Sequence, residues 1–237
     1  MSKCAVILAG GKGTRLRPYT VALPKPLMPI GDHPILEIIV KQLAQKGFTN
    51  IIMAVNHQAD IIKAFFADGS KWNIQIEYAM EDKPLGTMGP LKNLRNLSDN
   101  FLVMNGDILT DLEFNTFYED HCLNKNFFTI SSFHKDLCLE YGVLDVNTEM
   151  LLVGFREKPV MTFPVSMGVY MLNREVINYI PNDREYGFDQ LMIDLMAKNK
   201  PVSVIKHNGY WLDMGCPDDY AQAIDEFETH RKLFIND

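Results

Sequence analysis

Cys4-Ala5-Val6-Ile7-Leu8-Ala9-Gly10-Gly11-Lys12-Gly13-Thr14-Arg15-Leu16 is the stretch on which the reading of this chain turns. Its first five residues form a short, apolar, partly β-branched run, the composition of a buried strand. Gly10, Gly11 and Gly13 follow at once, and a backbone without Cβ atoms can turn sharply and bring its N–H groups up to an anion. Lys12, Arg15, Arg17 and Lys25 add cations, and no carboxylate appears before Asp32. A strand that runs into such a loop opens an α/β fold, and the loop is suited to a triphosphate. Two familiar phosphate loops do not fit. The P-loop requires a Lys-Ser/Thr pair after its last glycine, where this chain has Thr14-Arg15. The dinucleotide fingerprint requires glycine or alanine where Leu16 stands.

The rest of the composition narrows the class. At 237 residues and 47% hydrophobic content the chain can bury one sizeable core, and a single domain over residues 1–237 is expected. No apolar run approaches the roughly 20 residues of a membrane span and no signal peptide precedes the first strand, so a soluble cytoplasmic protein with no membrane partner is expected. Cys4, Cys122, Cys138 and Cys216 are scattered without a Cys-x-x-Cys pair, which fits reduced, ordinary thiols. The formal charge is −7, yet five cations precede Asp32 and the remaining 18 face 30 carboxylates. An acidic surface argues against nucleic acid, while a local cationic loop focuses its field on a small polyanion. Charge alone would fit a solvated loop equally well; the glycines and the later Pro24-Lys25 argue against that reading.

Periodicity places the remaining elements. Helices are expected at 35 to about 46, 59–66, 88–94, 114–123, 188–198 and from 218 onward. Strands are expected at 51–55, 74–78, 101–105, 127–133, 142–146, 151–155, 165–172 and 202–207. The first half has the βαβ rhythm of a parallel sheet, and the close spacing of 127–155 points to antiparallel strands. The fold class is therefore α/β, a Rossmann-like three-layer arrangement around a mixed, mainly parallel sheet.

Asn105-Gly106-Asp107 follows a strand, and open α/β sheets bind ligands at the C-terminal ends of their strands. An Asn-Gly turn with an incidental acid is the ordinary alternative. A second acid, Asp213, lies in Gly209-Tyr210-Trp211-Leu212-Asp213-Met214-Gly215. Mg²⁺ takes one or two protein carboxylates and completes its shell with water and substrate phosphates. The thirteen methionines read as core filler, and His57, His121 and His207 as surface or turn residues, rather than as ligands.

Gly10-Gly11-Lys12-Gly13-Thr14-Arg15-Leu16, with Pro18, Thr20 and Pro24-Lys25, resembles the signature of the sugar-phosphate nucleotidyltransferases, the nucleoside-diphosphate-sugar pyrophosphorylases. The pattern is nearest to mannose-1-phosphate or heptose-1-phosphate guanylyltransferases. The resemblance runs from Cys4 to Tyr220, and the β-helix extension of some members is not expected here. It implies transfer of a nucleotidyl group from a nucleoside triphosphate to a sugar 1-phosphate. Leu8, Ala9, Gly10, Gly11, Gly13, Thr14, Arg15, Glu81, Gly86 and Thr87 would hold the nucleotide. Arg15, Lys25 and Asp107 would serve catalysis, and Asp107 and Asp213 would hold Mg²⁺.

Three further segments follow the family pattern. Pro84-Leu85-Gly86-Thr87-Met88-Gly89 matches the loop beside the base, with Met88 in place of alanine and expected to reshape the pocket. Glu157-Lys158-Pro159 and Tyr141-Gly142 match sugar-contacting segments. Ser166-Met167-Gly168 stands where Asn-Ala-Gly is usual. Lys25, Gly142, Glu157, Lys158 and Ser166 would thus meet the sugar phosphate. Glu81 directs base choice: a carboxylate only accepts, and guanine offers adjacent N1–H and N2–H₂ donors where uracil and thymine offer one, which favours GTP over CTP, UTP or dTTP. Cys216 replaces a threonine that would cap the last helix, a change worth about 1 kcal/mol. Two rivals stay open, a non-catalytic nucleotide-sugar-binding regulatory subunit and an enzyme for a non-sugar phosphate acceptor. A homodimer is the default state for an enzyme of this size.

Overall fold

The computed structural model describes residues 3–56, 58–81 and 83–235, so the readings that involve His57 and Asp82 fall outside the described residues. The opening strand, β1 (Lys3–Leu8), lies inside a seven-stranded sheet. Cys4 to Ile7 are fully covered on both faces, which is why the sequence there is continuously apolar rather than alternating. Ala5 and Ile7 enter one hydrophobic core, and Cys4 and Val6 enter the other.

Helix α1 (Ile35–Gln45) leads to β2 (Phe48–Val55), α2 (Ala59–Phe66) to β3 (Gln75–Met80), and a 3-10 turn at Gly89–Asn93 to β4 (Asn100–Asn105). Strand β1 pairs in parallel with both β2 and β4, and β2 with β3, the half-sheet expected from the βαβ rhythm. Next come β5 (Ile108–Thr110), α3 (Phe114–Leu123), β6 (Phe128–Cys138), β7 (Val143–Val146), β8 (Leu152–Arg156) and β9 (Val160–Asn173). Helix α4 (Phe188–Ala197), β10 (Val202–Lys206), β11 (Trp211–Asp213) and α5 (Pro217–Phe234) complete the order. The sheet runs β10-β6-β9-β4-β1-β2-β3, and only β9 opposes the other six strands. Helices α1, α2, α3 and α5 pack on one face and α4 on the other, giving three layers around two cores. Among the described residues no helix is long and apolar enough to cross a membrane.

Five expectations change. His121, expected at the surface or in a turn, is fully buried on α3, where its Nδ1 bonds to Thr129 Oγ1 at 2.8 Å. The helix expected at 88–94 is only a 3-10 turn, because the N–H groups of Met88 and Gly89 bond to the Tyr186 carbonyl, both at 3.0 Å, instead of opening an α-helix. Met88 itself is buried in the second core and does not line the cleft. Strands β7 and β8 do not join the central sheet; they pair only with each other, and the antiparallel partner of β6 is β9. The cap of α5 is kept in another form. Asp219 Oδ2 accepts from the Cys216 N–H at 3.0 Å and lies 2.9 Å from its thiol, so the acid at the third helical position supplies its own half of a capping box where no threonine hydroxyl is present.

The short β5 and β11 pair antiparallel, with Asp213 opposite Ile108. The Met214 N–H also bonds to the Asp107 carbonyl at 3.2 Å. This small ribbon joins parts of the chain about a hundred residues apart.

Candidate active site

The loop after β1 is anchored at both flanks of its strand. The Ala9 N–H bonds to the Ala54 carbonyl at 2.8 Å, and the Gly106 N–H to the Leu8 carbonyl at 3.0 Å. The loop therefore leaves the sheet between the ends of β2 and β4. Gly13 turns it with φ +59°, and Thr20 Oγ1 donates to the Gly13 carbonyl at 2.7 Å. A side chain on Gly13 would stand 2.9 Å from Thr20 Cγ2 and 3.1 Å from Lys25 Cβ. Fold-back of this kind is what carries Lys25 to the loop's own mouth.

Two cavities meet there. The larger, about 520 Å³, falls within the usual size range of small-molecule sites. Leu8, Ala9, Gly10, Gly11, Lys25, Glu81, Gly86, Thr87 and Asp107 all line it. The smaller, about 250 Å³, is bounded by Lys135, Ser166, Gly168, Tyr170 and Asp213. Asn105 borders both. Gly168, with φ +72°, lets it do so, since a Cβ there would lie 2.7 Å from Asn105 Nδ2.

Three of the four groups expected to carry chemistry line these cavities, Lys25 and Asp107 the larger and Asp213 the smaller, while the exposed Arg15 lines neither and acts on Asp213 from outside them. Lys25 Nζ forms an ion pair with Asp107 Oδ2, while Asp107 Oδ1 is buried without a hydrogen-bond partner. Burial raises the Asp213 carboxyl above its ordinary range and the charge of Asp107 adds to the rise; Lys25 and Arg15 oppose it, and Asp219 reinforces it. Arg15 stands on the loop's outer turn, where its guanidinium lies 3.6 Å from an ideal Cβ on Gly215. An unsatisfied carboxylate oxygen beside a second carboxylate that resists ionisation is a donor set that a divalent cation would relieve. The residues fit Mg²⁺.

Beside the glycine loop of the larger cavity, Glu81 Oε2 accepts the Leu85 N–H at 3.2 Å, and Oε1 faces Gly10, 3.3 Å from where a Cβ would be. Burial raises its carboxyl pKa and the Leu85 N–H pulls against that rise. Thr87 Oγ1 accepts the Phe188 N–H at 2.9 Å, tying this wall to the start of α4. Ser166 Oγ donates to Tyr170 Oη at 3.1 Å and accepts the Gly168 N–H at 3.3 Å, so the hydroxyl also holds its own turn.

Not every expected residue lies at the junction. Gly13 and Thr14 shape the loop behind the cleft wall. Gly142, Glu157 and Lys158 lie on a projecting ribbon and line neither cavity. There Gly142 abuts Phe155 and Glu157, and Lys158 approaches Glu140 at 3.8 Å. Conversely, Asn56, Asn105, Lys135 and Glu185 line the cavities without having been singled out. Asn105 was the readable one, sitting two residues before Asp107. Lys135 and Glu185 reach the site only through the tertiary fold.

A UTP–glucose-1-phosphate uridylyltransferase of Synechocystis is 34% identical over 93% of this chain and 62% of its own length. A mannose-1-phosphate guanylyltransferase of Mycobacterium tuberculosis is 32% identical over 92% of this chain and 63% of its own. The chain thus spans a little over three-fifths of these relatives. The crystal structure of HddC from Yersinia pseudotuberculosis superposes with a TM-score of 0.75 at 30% identity, covering 95% of this chain and 99% of that one. A second HddC structure, complexed with GMP-PN, gives 0.73 at 28% identity. The model of the nucleotidyl transferase family matches residues 4–230, from the first strand through the loop and both junction acids, and the chain belongs to that family.

Proposed function

We propose that this chain transfers the nucleotidyl group of GTP to a sugar 1-phosphate, releasing pyrophosphate. The observation that carries the reading is the meeting of Lys25, Asp107 and Asp213 where a nucleotide-sized cavity joins a smaller one, with the charge of Arg15 acting on Asp213 from beside Gly215. An oxygen of the sugar phosphate attacks the α-phosphorus, the bond from that phosphorus to the bridging oxygen breaks, and pyrophosphate carries the electron pair away. The attacking monoester has a second pKa of about 6 and is already largely dianionic, so no general base is needed. The task is to hold two polyanions in contact and to offset the charge that builds on the leaving group. Lys25, fixed against Asp107, supplies a point charge at the junction, and Arg15 supplies a planar fork of donors from the loop. Asp107 and Asp213 would hold Mg²⁺, which when bound screens the phosphates and polarises their P–O bonds.

Glu81 supports GTP as the donor. Its carboxylate is an acceptor lining the larger cavity beside Gly10, and Glu185 adds a second acidic residue to the same cavity. The guanylyltransferase relative and the HddC complex with GMP-PN support the same base. On the sugar side the reading assigns Ser166 together with Gly142, Glu157 and Lys158. A reaction that draws on nucleoside triphosphate belongs in the cytoplasm.

Pyrophosphate release measured for each nucleoside triphosphate against a panel of sugar 1-phosphates, with Mg²⁺, tests all of this. Turnover is expected with GTP and a hexose or heptose 1-phosphate. Silence across the grid would favour a regulatory nucleotide-sugar-binding role, and turnover with UTP alone would overturn the base assignment. Glu81→Gln should erode the GTP preference by roughly 10- to 100-fold, the value of a hydrogen bond to a charged group. An unchanged preference would make Glu81 a bystander.

A further inference from the structure

The ribbon of β5 and β11 brings Asp213 to Asp107 with little of its own to hold it. It is a separate two-stranded sheet of three residue pairs, Trp211 to Thr110, Leu212 to Leu109 and Asp213 to Ile108, and so short a ribbon is marginal in water. Its near end is closed by the Met214 N–H on the Asp107 carbonyl, at 3.2 Å. Its far end is closed by a side chain.

One rung past Thr110, the Asp111 N–H bonds to the Tyr210 carbonyl at 3.3 Å, and the Tyr210 N–H returns not to a backbone carbonyl but to Asp111 Oδ1, at 2.7 Å. The same oxygen lies 2.8 Å from His207 Nε2, which also lies 3.3 Å from the Tyr210 carbonyl. Both neighbours of that nitrogen are acceptors, so Nε2 carries the proton and donates. The His207 N–H bonds to the Ser132 carbonyl at 2.8 Å, which ties the start of this turn to β6 of the central sheet. Thr110 Oγ1 adds a bond to the Tyr210 carbonyl at 2.8 Å. Residues 207–210 are thus wrapped around one carboxylate oxygen. Gly209 makes the wrap possible, because a Cβ there would collide with Asp111, 2.5 Å from Oδ2 and 2.7 Å from Cγ.

This fixture reaches both acids. Asp107 precedes β5 and Asp111 follows it, while Tyr210 precedes β11 and Asp213 ends it. A ribbon tied at both ends cannot slip, and a slip of one residue would turn Asp213 to the opposite face. We propose that Asp111 is a positioning residue for the acid pair: its carboxylate, with His207 and Gly209, fixes the register in which Asp213 stands with Asp107 to share one divalent cation. The metal half of this statement rests on the function proposed above; the hold of Asp111 on the ribbon does not.

Two measurements separate those halves. Hydrogen exchange read by mass spectrometry follows the ribbon without metal or substrate. Asp111→Ala should speed exchange in residues 108–112 and 207–214 by on the order of 10-fold, the value of a hydrogen bond to a charged group, and leave the central strands unchanged. Asp111→Asn keeps an Oδ1 acceptor and should restore most of the protection. Gly209→Ala pushes the same carboxylate aside without removing it, should loosen the same two segments, and carries the test if Asp111→Ala does not fold. Ribbon protection that these substitutions leave unmoved overturns the proposal whatever the activity.

The second measurement titrates the protein with Mn²⁺ alone and follows the spin-resonance signal of the free ion. The dissociation constant should rise on the order of 10- to 100-fold in Asp111→Ala and much less in Asp111→Asn. The Mg²⁺ concentration for half-maximal turnover should rise in step, while KM for GTP at saturating Mg²⁺ stays that of wild type, because the glycine loop and Glu81 are untouched. A loosened ribbon with unchanged Mn²⁺ affinity would make Asp111 merely structural and sink the positioning role. Wild type that binds no Mn²⁺ would remove the metal reading of Asp107 and Asp213, and hydrogen exchange would still decide the hold of Asp111.

Discussion

Gly168→Ala probes the junction between the cavities and can be worked out from the structure. Gly168 sits in the register irregularity of β9 between Ser166 and Tyr170, with φ +72°. Left-handed backbone costs an alanine about 1–2 kcal/mol. A Cβ there would also stand 2.7 Å from Asn105 Nδ2 and 2.8 Å from Ile108 Cδ1, and Ile108 is 1% exposed and cannot retreat. Overpacking of this kind adds about 1–3 kcal/mol. The total, roughly 2–5 kcal/mol, is less than the 5–15 kcal/mol of a typical domain, so the variant should fold. At about 2–4 °C per kcal/mol for a chain of this size, its melting temperature should fall by roughly 4–20 °C. Gly47→Ala is the control, because Gly47 has φ +83° and no atom within 4 Å of the added methyl. It should show the backbone cost alone and leave turnover unchanged. Because Asn105 borders both cavities, Gly168→Ala should raise KM for both substrates. Equal stability losses in the two variants, with unaltered KM values, would refute the argument that packing against Gly168 holds Asn105 in place.

Two further outcomes follow from buried ionisable groups. The Asp213 carboxyl has a raised pKa in the fold, so its contribution to stability is full below the unfolded value and is lost as pH rises through the folded one. Asp213→Asn should therefore melt above wild type in EDTA at pH 7, lose that advantage in acid, and release no pyrophosphate; a variant melting below wild type at pH 7 would show the charge to be stabilising. His121 is fully buried, bonds through Nδ1 to Thr129 Oγ1 at 2.8 Å, and has its pKa lowered by burial to about 4. The fold holds it neutral while the unfolded chain protonates it, so stability should fall as pH drops from about 6.5 to about 4, by on the order of 3 kcal/mol. Urea titrations of wild type and His121→Gln across that window check this, and identical slopes would place the pH dependence elsewhere.

The parallel half of the sheet was legible because burial on both faces writes a strand as an unbroken apolar run, as in Cys4–Ile7. Helices α2 and α3 were legible to the residue, each recording its buried face in spaced apolar positions, such as Ala59, Ile62 and Phe66. The β5–β11 ribbon was not. Three residues per strand are too few to show a period, and their partners are about a hundred positions apart, so no local pattern reveals that Asp213 would face Ile108 beside Asp107. The two acids could be named from their motifs, whereas their meeting depends on that ribbon and on the Met214 to Asp107 backbone bond.

The projecting ribbon exposes a different limit. Residues 142–146 and 151–155 read as strands, and they are strands, but alternation and β-branching report only that a surface is apolar, not what covers it. Leu144 and Phe155 would spell the same pattern in a core as in a contact between molecules. Edge strands that are meant to stay in water are blunted with charge, proline or short length. Here the ribbon from His134 to Pro164 carries Pro159, Pro164 and eight charged residues, and the thirteen exposed apolar side chains between Leu137 and Phe163 stand among them. An apolar surface of that extent is larger than isolated soluble chains usually expose, and no local pattern in the sequence states what lies against it.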